Sequence, residues 1–274
     1  MVLAQLVQWT GYHSLANTIK TFRNTLAILA CAAASVCFAE PLPSMMVQFD
    51  NPIFNGSGSD NVFITYTRPG SSTPRTDPVA AGRFQGTRSP AVGISDSIFV
   101  GKPEDLFMYC YDIYQGIHHG AVVNFRINLD GEVDRTRQFL GAVNATLNQG
   151  KVVQDPYAWL YPTTRHEGAA IQLGIWESKY ETDPLWDLTS GAFKADALEA
   201  GTQTAWNSFR ASILTSASIG KPFIMTLDSD THQDMITADP PAAVPEPGSL
   251  ALLGTALAAL AWDRRRKTAA GTTA

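Results

Sequence analysis

Val123-Asn124-Phe125-Arg126-Ile127-Asn128-Leu129-Asp130 alternates apolar and polar residues without a break. A period of two marks a strand with one face buried and the other wet, the habit of antiparallel sheets. Asp130-Gly131 then reads as a hairpin turn. Upstream, Leu106 to Ile113 (LFMYCYDI) is an aromatic-rich strand candidate. Shorter β-like runs stand at Met45–Phe49, Val62–Thr67 and Ser97–Val100, among turn signals such as Asn55-Gly56, Pro69-Gly70 and Ser71-Ser72. Downstream the period changes. Thr164 followed three residues on by Glu167 is a capping-box signature, and Ala169, Leu173, Trp176 and Tyr180 recur at helical spacing. A second helix is predicted from about Phe193 to Ile213, apolar at Ala195, Leu198, Ala205, Phe209 and Ile213, with Gly201 as its weak point. Pro222 to Leu227 reads as a closing strand. Strands, then helices, then a strand predict an α+β fold: an antiparallel sheet or partial barrel with two packed helices.

Composition excludes several classes. The chain has 274 residues, 45% of them hydrophobic and 16% charged, with a net charge of -5. That apolar fraction is ordinary for a globular chain and excludes wholesale disorder. The acidic balance, with no Lys/Arg run in the central region, argues against a nucleic-acid partner. Three cysteines are too few for a disulfide-stapled scaffold. No stretch is apolar for long enough to suggest a polytopic membrane protein.

Both ends read as addresses. Lys20 and Arg23 precede the apolar run Leu26 to Phe38 (LAILACAAASVCF), and Ala39-Glu40 follows. A cationic patch, a short apolar core and a small residue at the cut make a secretory signal over residues 1–39, cleaved between Ala39 and Glu40. Residues 1–19 make an over-long leader. A buried core helix is the alternative, disfavoured by apolar residues on every face and a Pro-rich segment directly after. A lipoprotein reading through Cys31 lacks the small residue expected at Leu29.

At the other end Val244-Pro245-Glu246-Pro247-Gly248 precedes Ser249 to Trp262 (SLALLGTALAALAW), then Asp263 and Arg264-Arg265-Arg266-Lys267. Physically this is a stiff segment that refuses helix, an apolar helix and a cationic stop. From Gly248 to Trp262 a helix rises only ~22 Å, short of a ~30 Å hydrocarbon core, which snorkelling arginines offset. The basic cluster belongs on the cytoplasmic side. A plain tail anchor is the alternative reading. The complete arrangement closely resembles the PEP-CTERM sorting signal of exosortase substrates. The resemblance implies a Gram-negative bacterium, Sec export, passage through the inner membrane, recognition by exosortase, and delivery to the cell surface or extracellular matrix. The organisation expected is then a β-rich, turn-rich start over residues 40–104, a core over 105–230, a linker over 231–244, the sorting signal over 245–267 and a cytoplasmic tail over 268–274.

With the signal removed, Cys110 is the last cysteine, without an internal disulfide partner. Tyr109-Cys110-Tyr111-Asp112 precedes Gln172-Leu173-Gly174-Ile175-Trp176 on the first predicted helix. The pair is similar to bacterial surface thioester domains, in which an aromatic-Cys-x-acid motif partners a later Gln-x-Ala-aliphatic-Trp motif. Tyr109, Cys110, Asp112, Gln172, Ile175 and Trp176 match; Ile171 and Gly174 depart from the pattern. The resemblance implies that the Cys110 thiolate attacks the Gln172 carboxamide, expels ammonia and leaves an internal thioester. A nucleophile on a target then captures the acyl group in one turnover, which is not enzymatic catalysis. Phe107, Tyr109, Leu173 and Trp176 are candidates to exclude water, and Asp112, His118 or His119 to assist proton transfer. The alternative is that Cys110 and Gln172 simply pack in the core, where a buried amide needs hydrogen-bond partners.

Other constellations are weaker. Adjacent His118 and His119 point oppositely in a strand, and the acidic group Asp228, Asp230, His232 and Asp234 is a poor match to a calcium loop. Thr202-Gln203-Thr204-Ala205-Trp206 is a near-repeat of the Gln motif that lacks the residue between Ala and Trp. No metal centre and no cofactor is expected. The expected role is attachment to surface polysaccharide or a neighbouring cell-surface molecule. A non-covalent carbohydrate-binding or matrix module is the first alternative, and a secreted hydrolase the second.

Overall fold

The computed structural model describes residues 42–95, 99 and 101–238. The signal with its cut at Ala39 and Glu40, the sorting segment from Pro245 to Arg266, and most of the β-like run at 97–100 lie outside them. Among the described residues no helix is long and apolar enough to cross a membrane.

The chain folds as α+β. Six antiparallel strands close into a barrel in the order β1 (Ser44–Phe49), β4 (Phe84–Arg88), β5 (Leu106–Cys110), β9 (Met235–Thr237), β8 (Met225–Asp228) and β6 (Val122–Asn128). The alternation read in the sequence is the alternation of burial: Val123, Phe125 and Ile127 point inward, while Val122, Asn124 and Arg126 face out. β1 does the same with Met45, Val47 and Phe49. A separate sheet runs β3 (Arg75–Gly82), β2 (Ser59–Tyr66), β7 (Lys194–Asp196).

Among the described residues three α-helices, not two, accompany the strands: α1 (Asp134–Leu147), α2 (Arg165–Tyr180) and α3 (Ala200–Ser212). The turn expected at Asp130-Gly131 does not return the chain as a hairpin; it leads into α1. α2 starts at the predicted capping box. The Thr164 hydroxyl accepts from the Glu167 N–H at 3.1 Å, and Glu167 Oε2 accepts from the Thr164 N–H at 3.1 Å. Every residue from Gly168 to Ser178 is buried, because α2 packs on α1, α3, β2 and β3 at once. The helix expected to begin near Phe193 begins at Ala200, since residues 194–196 are claimed by β2 as strand β7. The closing strand starts at Met225 rather than Pro222, and a further strand, β9, follows inside the span expected to be linker.

Candidate functional site

β5 delivers Cys110 to the end of a barrel strand where one neighbour runs out. Its register on β4 pairs Phe84 with Met108 and ends there. Tyr111 donates its N–H to Asp234 on the β9 side at 2.7 Å. Successive backbone groups alternate sides along a strand, so those of Cys110 face the side that β4 no longer covers. Gln172 fills that gap from α2. Its Oε1 accepts the Cys110 N–H at 2.8 Å and its Nε2 donates to the Cys110 carbonyl at 2.8 Å. The carboxamide thus does for Cys110 what a strand residue would, and the two predicted partners stand side by side in the core.

Cys110 is 2% exposed and Gln172 fully buried. Burial, with a smaller contribution from the Asp112 carboxylate, pushes the Cys110 thiol well above its ordinary range, so the sulfur holds its proton at neutral pH. A cavity of about 310 Å³ reaches Cys110. Trp176 lines it from α2, Ile64 and Val79 from the three-stranded sheet, and Gln115 and His119 from the loop after β5. Its wall is mostly apolar.

Of the residues expected to exclude water, Trp176 lines this cavity, and Tyr109 and Leu173 are fully buried. Phe107 lies elsewhere: its ring carries the Arg83 guanidinium at 3.9 Å and the edge of Tyr161. The Tyr109 hydroxyl is spent on the Trp159 carbonyl at 3.2 Å, and Ile175 is core.

Asp112 does not hold a free carboxylate toward the sulfur. Oδ1 accepts the N–H groups of Tyr114 and Gln115 at 2.8 and 3.2 Å, and Oδ2 accepts the N–H of Asp234 at 2.7 Å. It is a clamp between two loops. His119 lines the cavity with its Nδ1 accepting the Ile53 N–H at 2.9 Å, which leaves the proton of the neutral ring on Nε2; His118 is exposed. Gln233, which no motif announced, lines the cavity while donating to the Asp112 carbonyl at 2.6 Å. Nothing in its local sequence signals this, because the barrel closure alone brings β9 beside β5.

The near-repeat diverges as its missing residue suggests: Gln203 is exposed and bonds Asn207 at 3.1 Å, while Trp206 is core. The acidic group is absorbed by the fold. Asp230 forms a two-pronged pair with Arg126, both bonds at 2.9 Å. Asp228 accepts from Asn128 and Thr226, and Asp234 from the Ser229 N–H. Among the described residues no group of His, Cys, Asp or Glu has the arrangement of a metal centre.

A Cβ at Gly174 would lie 1.9 Å from Phe139 Cζ of α1, so this fold needs glycine at that position.

No curated protein and no solved structure matches the chain. Residues 243–266 match the PEP-CTERM protein-sorting motif, on the segment that carries Pro245, Glu246, Pro247 and the arginines Arg264, Arg265 and Arg266. The match supports reading the chain as a PEP-CTERM protein, exported toward the cell surface with exosortase as its processing partner.

Proposed function

We propose that the exported domain attaches covalently to its surroundings through an internal thioester between Cys110 and Gln172. The observation that carries this reading is the reciprocal pairing of the Gln172 carboxamide with the Cys110 backbone, both bonds at 2.8 Å. It brings the Gln172 carboxamide onto the residue that carries the thiol, in a buried site with a cavity reaching Cys110. The Cys110 sulfur adds to Gln172 Cδ, a C–S bond forms, the C–N bond breaks, and Nε2 leaves as ammonia with the thiol proton. An amine or hydroxyl on surface polysaccharide or a neighbouring surface molecule then takes the acyl group, and the thiol returns to Cys110. Each chain reacts once.

A second reading rests on the same contact. Both ends of the carboxamide are satisfied, so Gln172 also serves as a structural clamp in a non-covalent binding module. Intact mass of the mature protein separates the two. The thioester lowers it by one ammonia, Cys110→Ala restores the full mass, and methylamine yields an adduct on Gln172. Full mass together with one titratable thiol after denaturation leaves only the binding module.

A further inference from the structure

The cavity that reaches Cys110 is walled by separate parts of the fold: Ile64 of β2 and Val79 of β3, Trp176 of α2, and Ile117 and His119 of the loop after β5. Val79 stands opposite Val62 in the β2–β3 ladder, and Val62 and Ile64 are buried, so this face of the sheet turns aliphatic side chains inward. The volume, about 310 Å³, lies near the lower end of the ~300–1,000 Å³ usual for ligand pockets. Among the described residues that line it, none is Asp, Glu, Lys or Arg. His119 supplies no charge in this geometry, because its Nδ1 accepts the Ile53 N–H at 2.9 Å and the neutral ring keeps its proton on Nε2. An ion entering the cavity would shed its hydration with no opposite charge to meet, which strongly disfavours it. The polar groups at the wall include two donors. One is the His119 Nε2–H; the other is the indole of Trp176, whose Nε1–H is buried without a hydrogen-bond partner among the described residues.

We infer that this cavity is a binding site for a compact, uncharged molecule with an apolar body and a hydrogen-bond-accepting oxygen. The body displaces water from the aliphatic and aromatic walls, and the oxygen takes a hydrogen bond from a donor at the wall. Charge is the selective feature: the walls reward apolar contact and offer nothing to an anion or a cation. The site is independent of the thioester, since it asks no chemistry of Cys110 or Gln172.

The test titrates the 15N-labelled mature protein with acetophenone, benzoate and benzamidinium. These share a phenyl ring and a branched head of one size, and differ in charge. Acetophenone is expected to bind with a dissociation constant on the order of 1 mM, as suits so small a ligand, and both ions about tenfold or more weakly. It should move the Trp176 indole or the His119 imidazole resonance, the first identified by its loss in Trp176→Phe. Val79→Phe fills the cavity from the sheet and Ile117→Phe from the loop; whichever variant keeps the wild-type unfolding midpoint should lose the binding. Absence of acetophenone binding, equal binding of all three probes, or binding that survives in a folded filled variant overturns the site. Bound acetophenone that moves neither side-chain resonance overturns the accepting oxygen. None of these outcomes bears on ammonia loss, so the thioester stands or falls separately.

Discussion

Phe139 of α1 fills the space beside Gly174 of α2: a Cβ on that glycine would lie 1.9 Å from the ring's Cζ and 2.3 Å from Cε1. The ring cannot retreat. It is fully buried, stacked on Trp186 at 5.8 Å, tilted against Trp206 at 6.0 Å and edge-on to Phe209 at 6.4 Å. Gly174→Ala offers up to about 1 kcal/mol of helix propensity, against about 1–3 kcal/mol of overpacking. The overlap is with a locked aromatic ring, so overpacking wins. Net destabilisation of about 1–2 kcal/mol is expected, seen as a fall in Tm of roughly 2–4 °C per kcal/mol. An unchanged or raised Tm in thermal unfolding would show that α1 and α2 are not packed this closely.

The same helix pair shows what the sequence could and could not reveal. α2 was legible because Thr164 and Glu167 mark its start and Ala169, Leu173 and Trp176 carry its stripe. β1, β2 and β6 were legible because each has one face in the core, so burial imprinted a period of two. α1 was not, although Thr136, Phe139, Leu140 and Val143 are buried at helical spacing. Its N-cap is Val133, with no side-chain capping bond, and Asp130-Gly131 just before it mimics a hairpin. β3 was hidden by Pro78 in its interior, tolerable because the strand lies at a sheet edge. β7 and β9 are three residues each, too short for any period. The pairing of Cys110 with Gln172 was suggested by motif, but the reason for it, a strand end uncovered by β4, is a property of register alone.

The capping box gives a direct measurement. Thr164 accepts from the Glu167 N–H, and Glu167 Oε2 in return accepts from the backbone of both Thr163 and Thr164, at 2.6 and 3.1 Å. Thr164→Ala removes one of these bonds at an exposed site and is expected to cost about 1 kcal/mol. Urea denaturation should show a lower midpoint with unchanged m. Thr164→Ser, which keeps the hydroxyl, should recover most of it.

Asp112 is expected to matter more for stability than its place in a reactive-looking motif suggests. Three backbone N–H groups from two loops converge on its carboxylate, which is 7% exposed. Asp112→Ala strands them and is expected to cost about 2–4 kcal/mol, given roughly 1.5–3 kcal/mol for a hydrogen bond to a charged group and partial rescue by water. Asp112→Asn keeps an acceptor on one side but turns an N–H toward a donor on the other, so it should fall between. The readouts are denaturant midpoints and proteolysis, with new cleavage expected in residues 113–119. Wild-type stability in Asp112→Ala would remove the clamp.

Glu177, in the last turn of α2, and Glu181, the C-cap residue just beyond it, are driven in opposite directions. Burial is the main force on Glu177, and with help from the Glu181 charge it outweighs the Asp187 N–H at 3.2 Å and the Arg135 guanidinium at 3.6 Å, raising its pKa from 4.5 to about 7. Burial also pushes Glu181 upward, but the N–H groups of Thr182, Asp183, Ala192 and Phe193 overcome it and hold its pKa below the ordinary value. The pH windows therefore separate. Between 4.5 and 7 the folded chain binds the Glu177 proton and the unfolded chain does not, so stability falls as pH rises through that range, by about 3 kcal/mol at most. Below it, Glu181 acts the other way: its contribution is present above the unfolded carboxylate pKa and is lost as pH falls through the lower folded value. Glu177→Gln should flatten the fall between pH 4.5 and 7 and leave the acid limb in place. Glu181→Gln should blunt the acid limb and spare the upper window. Denaturant midpoints taken across that range decide it, and a Glu177→Gln profile that still falls toward pH 7 would assign the titration to another group.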